Sequence, residues 1–136
     1  MRVVLDTNII VASLASWSKS HHIIQALLDG QFEMIISHEI LLEYDEVLNR
    51  KYSPSVADGF LKALDHLPNV TKTDIFFHWN LIANDPEDNK FVDATIAAGQ
   101  AVLVTEDKHF NILKQIDFPP LTVMNLKDFE SLLLNP

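Results

Sequence analysis

The sequence predicts an α/β fold: three layers, with a central parallel sheet of about five strands covered by helices on both faces. Three observations predict it. Short apolar runs of strand length alternate along the chain with stretches whose apolar residues recur at helical spacing. Those runs are separated by segments long enough for the helical crossovers that parallel strands require. One of them, Ala101–Val104, is apolar throughout, as a strand buried on both faces must be. The 136 residues make one domain, 1–136, without repeats, low-complexity segments or linkers.

Each element has a local reason. Arg2–Leu5 is a strand-like run that stops abruptly at Asp6. A turn then leads into a helix, with Thr7 or Asn8 as its cap. Ser20–Leu28 carries an apolar stripe of Ile23, Ile24, Leu27 and Leu28, and Asp29-Gly30 is its stop signal. Glu33–Ile36 reads as a buried strand and Ser37 as the N-cap of the next helix. In that helix Ile40, Leu41, Tyr44, Val47 and Leu48 recur on one face. Pro54 opens a further helix, which Pro68 ends. Val70-Thr71 is a short strand, and the aromatic run 75–79 fits helix or loop equally. Asp85-Pro86-Glu87-Asp88 forms an acidic helix entrance, and alanines in the helix that follows allow close packing on a sheet. After Ala101–Val104 comes a short helix to about Lys114, then a strand at Leu121–Met124 and a helix at Leu126–Leu134.

Composition narrows the function classes. No apolar run approaches the roughly 20 residues a membrane-spanning helix needs. The first apolar run meets Asp6 too soon to serve as the core of a secretory signal, so the expected location is the cytoplasm. The absence of cysteine excludes disulfides, thiolate metal sites and cysteine nucleophiles together. Ten Lys and Arg against nineteen Asp and Glu give a formal charge of −9, and only two of the cations are arginines. Such a surface argues against a grip on nucleic acid through phosphate contacts alone. It suits either simple solubility or acids gathered at one place to hold divalent cations.

Position decides between those two. In an open parallel sheet, ligands bind beyond the carboxyl ends of the strands. Asp6 follows the first strand directly, and Asp107 follows Ala101–Val104 after Thr105-Glu106. If these strands are neighbours about 5 Å apart, two carboxylates meet at one edge and repel unless a proton or a cation relieves them. Hard ions such as Mg²⁺ and Mn²⁺ take oxygen ligands and keep several waters, so a few carboxylates suffice. Glu43 and Asp88 sit on helices entering the same edge, although Glu43 among Glu39, Asp45 and Glu46 fits a solvated face as well. Asp88 would also serve as a helix-capping acid. Asp93 lies five residues after Asp88, roughly 140° around an ideal helix, so the two do not point into one small site together. The six histidines, His21, His22, His38, His66, His78 and His109, fit no metal-binding spacing and read as surface or packing residues.

Four segments in order carry a resemblance: Val-Val-Leu-Asp-Thr-Asn-Ile at 3–9, Ser-His-Glu-Ile-Leu-Leu-Glu-Tyr at 37–44, Asp-Pro-Glu-Asp-Asn-Lys-Phe-Val-Asp at 85–93 and Val-Thr-Glu-Asp-Lys-His-Phe at 104–110. The chain resembles PIN-domain proteins over nearly its whole length, in particular the toxin components of toxin–antitoxin systems. The resemblance implies a parallel sheet ordered 3-2-1-4-5 and a Mg²⁺- or Mn²⁺-dependent endoribonuclease. It implies an acidic quartet of Asp6, Glu43, Asp88 and Asp107, with Asp93 the rival for the third position, and Asn8 and Thr105 orienting the strand-end carboxylates. It also implies an RNA substrate, an antitoxin partner whose basic side chain could enter the acidic pocket, and a homodimer.

The low cation count leaves Lys90 and Lys108, beside the predicted acids, as the expected phosphate contacts. A catalytically silent PIN-like module binding nucleic acid or protein is the alternative, opposed by the presence of all four acids. A receiver domain is disfavoured because Thr105 and Lys108 lie three residues apart rather than on separate strands. A haloacid-dehalogenase-type phosphatase would want an acid where Asn8 stands.

Overall fold

The computed structural model describes residues 1–15, 18–83 and 86–134. Among these residues, five strands form one sheet: β1 (Arg2–Leu5), β2 (Glu33–Ile36), β3 (Val70–Lys72), β4 (Ala101–Val104) and β5 (Thr122–Met124). Their order is β3-β2-β1-β4-β5, and every pairing is parallel, as expected. The order reverses at β1, which has β2 on one side and β4 on the other. All four residues of β1 pair with β4, Arg2 opposite Ala101 through Leu5 opposite Val104. The two strands therefore end level with each other.

Among the described residues, six α-helices flank the sheet: α1 (Thr7–Leu14), α2 (His21–Leu28), α3 (His38–Lys51), α4 (Pro54–His66), α5 (Asn89–Ala98) and α6 (Leu126–Leu134). The described residues also form two 3₁₀ segments, Pro86–Asp88 within the acidic entrance and Lys108–Gln115 after β4. The run 75–79 forms neither helix nor strand, because its consecutive aromatics have no period that would bury a single face. Asp85, the first acid of the third motif, lies outside the described residues.

Local chemistry accounts for most helix starts. Ser37 and Ser53 accept the backbone N–H groups of Ile40 and Val56, three residues on, and Pro54 takes the first turn of α4. Gly30 follows α2 with a positive φ of 74°, a conformation glycine adopts without a Cβ penalty. The cap of α1 differs from the expectation. It is Asp6, whose carboxylate accepts the Thr7 N–H, rather than Thr7 or Asn8. An acid in extended conformation at the end of a strand is free to turn back onto the next amide, and it suits the positive end of a helix.

The core is continuous from one helical layer through the sheet to the other. Val3, Val4, Leu5, Met34, Ile35, Leu103 and Val104 of the inner strands are buried, with Ile9, Ile10, Ile40, Tyr44, Leu48, Phe91 and Val92 of the helices. Helix α5 packs on β1, β2 and β4, which its buried Ala94 permits at close range. Phe129 of α6 meets Phe32 edge-on, with centroids 5.2 Å apart. Tyr44 is fully buried and its hydroxyl donates to the Leu5 carbonyl, which pins α3 to the end of β1. Among the described residues no helix is long and apolar enough to cross a membrane.

Candidate functional site: acids at the ends of two parallel strands

The β1–β4 ladder continues one step past the strands, where the Asp6 N–H donates to the Val104 carbonyl at 3.0 Å. That step sets Asp6 beside Thr105. The Thr105 hydroxyl donates to one carboxylate oxygen of Asp6 at 2.7 Å, and the other oxygen accepts the Thr7 N–H at 2.8 Å. The same Thr105 oxygen accepts the Asp107 N–H at 3.0 Å, so one threonine ties both strand-end aspartates together. Asp107 in turn accepts the His109 N–H at 2.9 Å and caps the following 3₁₀ segment. Of the two residues expected to orient these carboxylates, Thr105 makes such contacts, whereas Asn8 is exposed and is not among the groups bonded to Asp6.

Glu43 reaches the site from α3. Its carboxylate accepts a hydrogen bond from the Thr7 hydroxyl, so Thr7 serves Asp6 with its amide and Glu43 with its side chain. Glu43 also pairs with Lys90 Nζ at 2.9 Å, and the same ammonium lies 3.3 Å from Glu87. Lys90 is thus matched by two carboxylates, while Lys108 is exposed. An open cavity of about 750 Å³ lies on this side, bordered by Glu43, Lys90, Asp93, His78, Asn80 and Arg50.

Asp88 and Asp93 go separate ways. Asp88 ends the 3₁₀ turn before α5, and its carboxylate lies 3.5 Å from Nδ1 of His109, which is itself 3.4 Å from Asp107. Asp93 is only 3% exposed. It accepts the Trp79 N–H at 3.1 Å and faces His78 Nδ1 at 3.2 Å, which fastens the irregular 75–79 run to α5.

Electrostatics mark the same place. Burial pushes the Asp6 carboxyl above its ordinary value of 3.8; hydrogen bonds from Thr105 and Thr7 oppose this, and the negative charges of Glu43 and Asp107 add to it. The Tyr44 phenol is pushed well above its usual range by burial and then by Asp6 and Glu43, so it stays neutral as a donor. Burial alone would lower the Lys90 ammonium, but hydrogen bonds and Coulomb attraction from Glu43 and then Glu87 outweigh it and raise the group.

Thr7, Glu87, His78 and His109 were not among the predicted site residues. Thr7 had a readable signal, since it adjoins Asp6, although it was expected only as a cap. His109, expected as a surface or packing residue, stands two residues after Asp107 in an irregular turn. No helical or strand spacing relates it to Asp88, twenty-one positions earlier.

A parallel sheet whose two central strands end in coupled aspartates, joined by a glutamate from the next helix, defines a class: α/β domains that collect acids at the switch in strand order. The particular family follows from comparison. The PIN domain family model matches residues 2–109, and the chain belongs to that family. Comparison with curated proteins finds no match. Among solved structures, the chain is similar to VapBC2 from Rickettsia felis, bound to a DNA fragment from its promoter, at 22% identity and a TM-score of 0.63 over 92% of this chain and 98% of that one. VapBC-1 from nontypeable Haemophilus influenzae gives 20% identity and a TM-score of 0.60 over the same shares. The PIN domain of T. brucei RRP44 gives 16% and 0.55, over 97% of this chain and 80% of that one. These likenesses are of fold.

Proposed function

We propose that this chain is a divalent-metal-dependent endoribonuclease, the toxin of a toxin–antitoxin pair, acting in the cytoplasm as one domain spanning 1–136. The observation that carries the reading is the Asp6–Thr105–Asp107 linkage at the level ends of β1 and β4, with Glu43 drawn to it by Thr7. Membership of the PIN family and likeness to VapBC structures support it.

The donor set fits Mg²⁺ or Mn²⁺. Several carboxylates gather there, Asp6 is held with its carboxyl pushed up by burial and by its acidic neighbours, and ligand atoms of Asp88, Asp107 and His109 lie within 4.8 Å of one another. We assign Asp6, Glu43, Asp88 and Asp107 as the residues that hold metal. Asp93 is the weaker claimant to the third place, because its carboxylate is already engaged by Trp79 and His78. When bound, such an ion supplies an activated water and neutralises charge on the scissile phosphate. The chain's own part is positioning. Thr105 and Thr7 fix the two oxygens of Asp6, Thr7 and Lys90 fix Glu43, and Tyr44 seats the middle of α3 against the end of β1. Lys108 is the better phosphate contact, since Lys90 already answers Glu43 and Glu87.

One observation favours the alternative of a silent binding module: Lys90 supplies Glu43 with a resident cation. Incubation of purified protein with RNA, with and without Mn²⁺, separates the readings. Mn²⁺-dependent cleavage abolished by Asp6→Asn/Asp107→Asn supports the nuclease; Mn²⁺ heats unchanged by that double variant, without cleavage, support the module. The antitoxin partner and a homodimer belong to the same proposal. A basic antitoxin side chain would enter the acidic pocket, so the double variant should also bind the cognate antitoxin more weakly.

A further inference from the structure

Among the described residues, the three groups of His, Asp or Glu that bring ligand atoms within 4.8 Å of one another are Asp88, Asp107 and His109. They come from two separate 3₁₀ segments, which meet at this point. Asp88 ends one; Asp107 caps the other, and its carboxylate holds the His109 backbone at 2.9 Å while His109 Nδ1 lies 3.4 Å from the same oxygen. The imidazole nitrogen therefore faces two carboxylates that come together only through the fold.

A nitrogen facing two carboxylates is placed either to donate an N–H to them or to share a cation with them. Asp6 adjoins Asp107 through Thr105, so three carboxylates gather around this point, and a dication balances them where a neutral donor does not. A purely oxygen-lined site suits Mg²⁺; adding an imidazole favours the transition-metal ions, because nitrogen is the softer donor and Mn²⁺ binds it more readily.

We infer that His109 is a direct nitrogen ligand, with Asp88 and Asp107, to the divalent ion of this site, and that it makes the site select Mn²⁺ over Mg²⁺. The inference rests on the metal-dependent reading above but adds a ligand and a selectivity to it. His109 has a half-exposed side chain, so its replacement leaves the core untouched.

The test is pulsed electron paramagnetic resonance of the Mn²⁺-loaded protein, with Mn²⁺ and competing Mg²⁺ affinities measured on the same samples. Wild type should show modulation from a directly coordinated ¹⁴N. His109→Gln and His109→Ala should lose it, and His66→Ala, on the far end of α4, should keep it. Mn²⁺ affinity should fall about tenfold in the His109 variants while Mg²⁺ affinity changes by less than about threefold. Bound Mn²⁺ without a nitrogen signal, or a signal that survives both substitutions, overturns the inference. Absence of any Mn²⁺ binding overturns it together with the metal-dependent reading. RNA cleavage by the same samples keeps the two apart: cleavage without the nitrogen signal removes only His109, and the signal without cleavage removes only the nuclease.

Discussion

The two sides of the site differ in how their acids are answered. At the strand ends, Asp6 and Asp107 share one threonine, and Asp6 has neutral donors on both of its oxygens. On the side formed by α3 and α5, the acids already have resident cationic or ionisable partners: Glu43 has Lys90, and Asp93 has His78 along with the Trp79 amide. The first side sets one ionisable partner, His109, against both Asp88 and Asp107 and leaves Asp6 with neutral donors only, so it has more to gain from a dication. The second has largely settled its charge within the protein. The comparison bears directly on the third acid, since Asp88 leans to the first side and Asp93 belongs to the second.

The largest effect should come from the strand ends. Asp6→Asn/Asp107→Asn should lower Mn²⁺-dependent RNA cleavage by about a thousandfold, equivalent to roughly 4 kcal/mol of barrier. The same variant should remain folded by circular dichroism, because asparagine keeps the shape and an acceptor oxygen. A similar loss for Asp93→Asn at unchanged stability would break the comparison.

Asp93 should act on stability instead. Asp93→Ala removes a buried acceptor from the Trp79 amide and should cost about 2 kcal/mol in denaturant unfolding. Its Mn²⁺ affinity should stay within about threefold of wild type.

Asp6 provides a pH test. Its carboxyl is raised in the folded protein, so between its ordinary value of 3.8 and the raised one the folded state binds the extra proton. The stability contribution of Asp6 therefore falls as pH rises through that window. Metal-free Asp6→Asn should be more stable than wild type by about 1 kcal/mol at neutral pH. That advantage should shrink as the pH is lowered towards 3.8 and vanish below it, as read from melting temperatures across the range. The smallest effect is expected at Lys90. Lys90→Met removes the resident cation from Glu43, and Mn²⁺ affinity should rise about threefold by titration calorimetry.

Much of this was legible in the sequence where chemistry is local. Arg2–Leu5, Glu33–Ile36 and Ala101–Val104 were bounded correctly because short apolar runs closed by the polar residues Asp6, Ser37 and Thr105 have little choice but a buried strand. Ser37 announced its helix for the same reason. That Asp6 and Asp107 meet followed from parallel strands ending side by side. The expected divergence of Asp88 and Asp93 supposed one ideal helix, whereas Asp88 ends a 3₁₀ turn ahead of α5 and only Asp93 lies on that helix. What was hidden is non-local or aperiodic. Lys90 and Glu43 pair across 47 positions, so Lys90 looked free for phosphate. His78 and Trp79 fall in an aromatic run with no period, and their link to Asp93 exists only once α5 has packed. His109 reaches Asp88 because two 3₁₀ segments converge, which no spacing rule encodes.

The central claim is that the strand-end side holds the ion. Anomalous diffraction from crystals grown with Mn²⁺ tests it most directly, because the ion reports its own position. The account predicts a peak touching Asp6 or Asp107, directly or through one water, with Asp88 and His109 on the same ion and Glu43 beside it. A peak seated on Asp93 and His78, or elsewhere while Asp6 and Asp107 stay without an ion, would contradict it.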